Sequence, residues 1–468
     1  MARVIENSGE SSDVAAGRLQ LALVVAFTVL NTGNIANFWE LLGNDVADWP
    51  CPVGVPYPDL SLATGLLTFV LVVAVFSAYL RSRSCVTVGM VLANLSVIAT
   101  VLWPLTAHIA VRHRTGDIRF THDGGVFYTE QAIQYVLEGR NPYAETYLGT
   151  PVEQKFAADP GWQGWPYQPI LNFFPYLPFP VLAGLPLYWI SQQIVGFYDQ
   201  RFLYLPALIL LMWLVPRLFP RRWRPAAISI ALLNPAVTVY FIQGTNDILL
   251  MLWIIAGFAA LQRRRDGLAA VCWGLASATK QFAWFIWPFA LMYWWPESGG
   301  FTQRFRGTVR KLWPAFAAAA AVVLPFALWN PKEFLNDAIL FNFGLLGSFY
   351  PFGGTPGYGF PNILLALGIV PTVHHEFPLA VFQLVVGGAV IIAGMRNIRR
   401  ERSAAGIMRM TALSLFTFLF FSRMFHYNYF GVISTLVLLG AAPDAQGSRS
   451  RHSLDQPAGN ATVLNGLK

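Results

Sequence analysis

The chain is a succession of long apolar runs separated by short polar turns. A helix that crosses the hydrocarbon core of a bilayer needs about 20 largely apolar residues. By that measure, spans fall near 18–38, 59–80, 87–110, 199–217, 225–242, 247–262, 311–329, 378–396, 406–422 and 427–441. The stretch 267–296 is apolar too, but too short for two full crossings. The pattern predicts an all-α polytopic membrane protein.

Arginines orient the spans, because Lys and Arg are retained on the cytoplasmic side. Five turns agree: Arg81 and Arg83; Arg217, Arg221, Arg222 and Arg224; Arg263 to Arg265; Arg304, Arg306, Arg310 and Lys311; Arg396, Arg399, Arg400 and Arg402. With both termini inside, the loops 39–58, 111–198, 243–246, 330–377 and 423–426 fall outside. Between the clusters at 263–265 and 304–311 the chain must then cross an even number of times. We therefore expect two short helices in 267–296 that meet at Lys280-Gln281 near the outer face, for a total of about 12 transmembrane helices. Polar groups at membrane depth are tolerated where they are buried in protein or line a wet cavity, so this break marks a cavity. The five prolines of 169–195 and the same parity predict a segment lying along the outer interface. The layout is a cytoplasmic N-terminus over 1–17, a membrane domain over 18–442 and a disordered cytoplasmic tail over 443–468.

Composition agrees with this map. Hydrophobic residues make up 55% of the chain and charged residues 12%, against about 25% charged in soluble domains. The net charge of +8 would suggest nucleic acid in a soluble protein, but here it is a topology signal and no nucleic-acid partner is expected. Cys51, Cys85 and Cys272 fall in different compartments of the map, so neither a disulfide framework nor a thiol metal site is expected. The acidic N-terminus carries Glu6, Glu10 and Asp13 and lacks the basic and apolar regions of a cleaved signal peptide. No cofactor is implied. His374-His375-Glu376 resembles metal ligands only superficially, because adjacent histidines project in different directions.

Candidate chemistry concentrates in the external loop 111–198. Phe127, Ala132, Ile133, Val136 and Leu137 recur at helical spacing until Gly139 and Asn141-Pro142, which predicts an amphipathic helix lying on the membrane. Asp123 sits just before it, beside His122 and ahead of Gly124-Gly125, which would let backbone approach a ligand. A carboxylate there can accept a proton from a substrate hydroxyl, or it can simply cap the helix.

The run His122-Asp123, the amphipathic helix and Glu138-Gly139-Arg140-Asn141-Pro142-Tyr143 resemble the first external loop of the GT-C superfamily of membrane glycosyltransferases. Asn234-Pro235, Gln243-Gly244-Thr245-Asn246-Asp247 and Ala278-Thr279-Lys280-Gln281 resemble its polyprenyl-phosphate mannosyltransferase branch, which includes phosphatidylinositol-mannoside mannosyltransferases. The resemblance covers residues 85 to 300 and departs from the commoner pattern at Gly124-Gly125. Two spans precede the shared core, and the C-terminal third is supported by topology alone.

The resemblance implies a GT-C-like bundle in a bacterial plasma membrane with its active site on the extracytoplasmic face. It further implies an inverting transfer of mannose or another sugar from a polyprenyl monophosphate to a lipid, glycan or protein hydroxyl, with Asp123 as general base.

Lys280 has two readings, a contact to the donor phosphate or a structural pair with Asp247. Arg423 and His426, at an outer helix end, suit phosphate binding, although an arginine there also suits snorkelling to lipid headgroups. Asn246, Gln281 and Tyr427 complete the polar set. The aromatics of Pro331–Asn362 suit either a cover over a lipid tail or an interfacial loop. A transporter of lipid-linked saccharides also needs broken helices and buried charge, and a non-catalytic scaffold subunit is a third class. Transporters often show inverted repeats and central charges, whereas here the polar residues gather at one face, which favours the enzyme.

Overall fold

The computed structural model describes residues 22–28, 30–31, 85–116, 118, 121–157, 169–343, 345–346, 358–372, 375, 377–423 and 425–442. Among these residues the chain is helical with no strand. The second expected span, the larger part of the first, Asp117, His374, Glu376 and the C-terminal tail lie outside them.

Among the described residues four helices are long and apolar enough to cross a membrane: α1 (Val86–Thr115), α5 (Arg201–Leu218), α11 (Phe301–Trp329) and α14 (Leu379–Glu401), the last preceded by the short helix α13 (Phe360–Ala366). A fifth candidate is a broken pair, α6 (Arg224–Leu232) and α7 (Pro235–Gln243), bent by 55°. Shorter apolar helices follow the expected spans closely: α8 (Asp247–Gln262), α15 (Ala404–Phe420) and α16 (Tyr429–Gly440). At 1.5 Å per residue α8 is about 24 Å long, less than the roughly 30 Å hydrocarbon core. The expectation of about 12 crossings thus reduces to four or five helices that meet the length criterion among the described residues.

The stretch 267–296 is broken where its sequence predicts. Helix α9 (Asp266–Thr279) ends at Lys280, which is extended at φ −156°, and a 3₁₀ turn (Gln281–Ile286) leads into α10 (Trp287–Trp294). Helix α9 packs between α8 and α11, and Trp273 of α9 is fully buried at the centre of the main apolar core.

The break between α6 and α7 is made locally and held from afar. Pro235 at the first position of α7 cannot donate to α6, and Asn234 caps α7 by accepting from Ala236 N–H. The interruption frees the Leu233 carbonyl. Asn31 donates to it at 2.7 Å and accepts from Thr238 Oγ1 at 2.6 Å. The N-terminal helical segment is therefore built into the bundle.

The arginine-bearing ends of the helices converge. Lys311 pairs with Asp266, Arg402 with Glu297 at 3.0 Å, and Arg409 reaches the Gly440 carbonyl. At the opposite end, a second apolar core is made mainly of aromatics: Tyr128, Tyr143, Tyr147, Phe174 and Phe341. It joins the loop helices α2 (Thr129–Leu137), α3 (Pro151–Ala157) and α4 (Phe179–Ile194) to α12 (Pro331–Leu335) and the π-helical turn Asn336–Phe341. Phe341 lies inside this core and is not part of a cover.

Helix α2 departs from expectation. Thr129, Gln131, Ala132, Ile133 and Tyr135 are all buried, and only Gln134 and Leu137 are exposed. It packs against α4 inside the protein, because its polar residues find protein partners. Gly139, at φ +73°, terminates it as the sequence predicts.

Candidate active site

Asp123 opens a π-helical turn, Asp123–Tyr128, that runs into α2. The turn is capped by His122, whose Nδ1 accepts from Gly125 N–H at 2.9 Å. Capping is therefore not the task of Asp123. Its Oδ1 accepts from Gly124 N–H at 2.5 Å, while Oδ2 has no hydrogen bond among the described residues, and the side chain is 31% exposed. One oxygen is fixed by backbone and the other is open to a proton donor. Because Nδ1 of His122 serves as an acceptor, its proton sits on Nε2. Burial holds the ring below the usual histidine range, against the pull of Asp123 with Oδ1 only 3.2 Å away. His122 is thus a neutral neighbour of the carboxylate.

The two glycines serve a packing purpose within the protein. A Cβ on Gly124 would lie 1.7 Å from the Tyr176 hydroxyl, and one on Gly125 would lie 2.0 Å from the Gly244 carbonyl. Gly244 itself is left-handed at φ +92°, with Arg201 and Val126 against its α-carbon. The backbone approach expected for a ligand is used instead to dock the Asp123 turn on the α7–α8 turn. His122 N–H donates to the Gln243 carbonyl at 2.9 Å, which completes the joint.

Beyond that joint lies the second part of the site. Asp247, at the start of α8 and only 3% exposed, accepts from Lys280 Nζ at 2.6 Å through Oδ1 and from Asn428 Nδ2 at 2.7 Å through Oδ2. Lys280 also sits over the rings of Phe282 and Tyr429, at 4.6 and 5.1 Å. The structural pair foreseen for Lys280 is therefore formed. An ammonium has three donors, and the side chain keeps 13% exposure. His426 lies within the electrostatic reach of Asp123, His122 and Lys280 and stacks edge-on against Tyr429. Burial pushes its imidazole down to about 4, with Asp123 opposing that shift and His122 and Lys280 adding to it.

The structure thus brings together Asp123, His122, Asp247, Lys280 and His426. Asn246 adjoins them and is buried, with its Nδ2 unpartnered among the described residues. Other expected residues are placed differently. Gln281 donates to the Ala338 carbonyl at 2.9 Å, tying the α9 break to the π-helical turn after α12. Tyr427 stands between Tyr240 and Tyr358 in an aromatic row. Arg423 follows α15, with its guanidinium 3.4 Å from the His375 carbonyl.

A buried ion network behind the site escapes the sequence reading. Arg112 binds Glu130 through two bonds of 2.8 and 2.6 Å and reaches Asp199 at 2.8 Å, while Arg201 grips Asp199 through Nε and Nη2 at 2.8 and 2.7 Å. Burial alone would raise the Asp199 carboxyl, but Arg201 and Arg112 outweigh it and hold it well below the usual range. Partners separated by 18 to 87 positions leave no local signal.

An uncommitted carboxylate beside a lysine–aspartate pair and a histidine, at one end of a helical bundle, can take up a proton, and sequence comparison supplies the class, membrane-embedded glycosyltransferases of the GT-C superfamily. The chain belongs to Glycosyltransferase family 87, whose sequence model matches residues 174–454. A second model, the N-terminal domain of alpha-(1->6)-mannopyranosyltransferases, matches residues 22–296. From residue 22 on it takes in both of the expected N-terminal spans, which are therefore part of the shared domain and not additions ahead of it. Alpha-(1->6)-mannopyranosyltransferase A of Mycobacterium tuberculosis (strain ATCC 25618 / H37Rv) is 28% identical over 232 residues, 48% of this chain and 40% of that relative. The match thus covers about two fifths of the relative's length. No solved structure matches the chain.

Proposed function

We propose that this protein is an inverting mannosyltransferase that draws its sugar from a polyprenyl monophosphate and works on the extracytoplasmic face of a bacterial plasma membrane. The observation that carries this reading is the uncommitted Oδ2 of Asp123, held in one cluster with Lys280 and His426. Asp123 takes the proton of the acceptor hydroxyl, and the freed oxygen attacks the anomeric carbon. The bond from that carbon to the phosphate oxygen breaks, and polyprenyl phosphate leaves with the electron pair. Asp123 acts as general base. Lys280 and Arg423 supply charge to the leaving phosphate, as does His426, which an arriving anion would help to protonate. The acceptor is a lipid or glycan hydroxyl.

The bilayer supplies the orientation. Arginine clusters gather at the end opposite Asp123, which supports an extracytoplasmic position for it. Cysteine labelling should find 144–157 outside and 263–265 inside; both on one side would overturn the assignment. The decisive assay incubates purified protein with a panel of polyprenyl-phosphate sugars and an acceptor-lipid extract. Release of polyprenyl phosphate together with a glycosylated product, strongest with mannose, is expected, and no release with any donor would overturn the reading.

A further inference from the structure

Most buried threonines described here discharge their hydroxyl into their own helix. Thr100 donates to the Ser96 carbonyl, Thr411 to Ile407 and Thr435 to Gly431. Thr245 cannot do so, because it lies in the short turn between α7 and α8, where its backbone N–H bonds to the Tyr240 carbonyl. Among the described residues its Oγ1 is buried and unpartnered, and so is Nδ2 of the next residue, Asn246; the two residues are 1% and 3% exposed. Two adjacent orphaned polar groups, one a hydroxyl and one an amide donor, stand at the N-terminus of a 16-residue helix inside an apolar bundle. Each carries a desolvation cost that a valine or leucine would not.

Their location says what could repay that cost. On one side the Thr245 α-carbon lies 2.8 Å from where a Cβ on Gly125 would stand, two residues from Asp123. On the other side Asp247 carries the Lys280 pair. Thr245 also lines a gap too tight to hold a water, shared with Tyr240, Asp247 and Asn428 and with the apolar Val237, Phe241, Met251 and Val432, so a ligand entering here has to part these side chains. In an in-line displacement the base and the departing phosphate lie on opposite sides of the anomeric carbon. On the donor reading the sugar ring therefore sits between Asp123 and the Lys280 group, and Thr245 and Asn246 belong to the turn that touches the Asp123 turn on one side and leads into Asp247 on the other.

We propose that Thr245 and Asn246 form the sugar-recognition subsite of the donor, each bonding a ring hydroxyl of the transferred sugar. This rests on the donor reading above and adds the residues that choose among sugars. A neutral hydroxyl is the matching ligand, since Thr can both donate and accept while the amide NH₂ donates. A site built to bond a hydroxyl rejects an analogue that lacks it, because its own polar group is then left unpaired.

The test measures transfer from polyprenyl-phosphate mannose and its monodeoxy analogues by wild type, Thr245→Val, Thr245→Ser and Asn246→Leu, with thermal midpoints taken without substrate. Thr245→Val should lower kcat/KM with the parent donor about ten- to a hundredfold, and Thr245→Ser should restore most of it. The substrate-free midpoint of Thr245→Val should hold or rise, since an unpaired buried hydroxyl has been removed. With one particular deoxy donor, wild type and Thr245→Val should become equal. Asn246→Leu should show the same pattern with a different deoxy donor.

Several outcomes would overturn the subsite while leaving the donor reading intact: wild-type rates from both Thr245→Val and Asn246→Leu, an equal loss with every deoxy donor, or a lowered midpoint that tracks the lost activity. The absence of any transfer by wild type would overturn the donor reading and the subsite together.

Discussion

Two groups of buried charge face each other across the turn between α7 and α8, and they are finished to different degrees. In the Arg112–Glu130–Asp199–Arg201 network two cations meet two carboxylates, and all four side chains are held through paired contacts, with Arg201 Nη1 the buried N–H left without a partner among the described residues. In the Asp123–Asp247–Lys280 group one carboxylate is tied to lysine and asparagine, and the other keeps an oxygen uncommitted. Networks whose carboxylates are closed by cations hold a shape; a carboxylate that keeps an oxygen uncommitted can exchange a proton. The closed set also supports the open one, because the Arg201 stem packs under Gly244, which carries the Asp123 turn.

The comparison fails first if Asp123 proves dispensable. Asp123→Asn should abolish transfer, on the scale of about 10²–10⁴-fold for general base catalysis, with expression and donor binding intact. Asparagine can still accept from Gly124 N–H, so near-normal turnover would remove Asp123 as base. Disrupting the closed network should instead cost the fold. Glu130→Ala leaves Arg112 and Arg201 sharing the single carboxylate of Asp199 and removes the acceptor of the Gln200 N–H; it should destabilise by about 3–5 kcal/mol, seen as lost yield or a lowered midpoint in detergent. Turnover that fell while the midpoint held would move Glu130 into the reaction chemistry.

Lys280 tests the boundary between the two groups. Lys280→Met should weaken donor use by about ten- to a hundredfold and leave Asp247 unpaired. If Lys280→Met with Asp247→Asn recovers both stability and transfer, the pair serves packing alone; recovery of stability without transfer assigns the lysine to the donor.

The smallest effect belongs to a third kind of buried charge. Asp337 is alone, with the Phe174 amide donating to its Oδ2 at 2.7 Å, and burial raises its carboxyl to about 7. The folded chain keeps a proton that the unfolded chain has released above about pH 4, so the contribution is full in acid and fades as pH rises through 7. Wild type should lose about 1.4 kcal/mol between pH 6 and pH 8 through this group. Asp337→Asn should flatten that slope in a pH series of thermal midpoints, and an unchanged slope would show the carboxyl ionised throughout.

The sequence made legible whatever depends on neighbours along the chain. The break at Lys280 followed from an apolar run of the wrong length, the end of α2 from Gly139, and the Asp123 turn from its motif. Contacts between distant positions stayed hidden. Glu130 reads as an ordinary loop acid until α1 and the start of α5 bring Arg112 and Asp199 to it. Gly125 reads as a ligand-facing glycine until Gly244 comes within reach. The orphaned hydroxyl of Thr245 could not be foreseen, because lacking a partner is a property of the packed bundle.

The bond from Asn31 to Leu233 joins positions 202 residues apart, and it turns the architecture into a question of timing. A ribosome adds roughly 5–20 residues per second, so about 10–40 s separate the synthesis of the asparagine from that of its carbonyl partner. For that interval the first helix lacks the carbonyl and the hydroxyl that its asparagine joins in the folded bundle. Assembly of this joint therefore includes a waiting period, which ends only when α6 and α7 arrive.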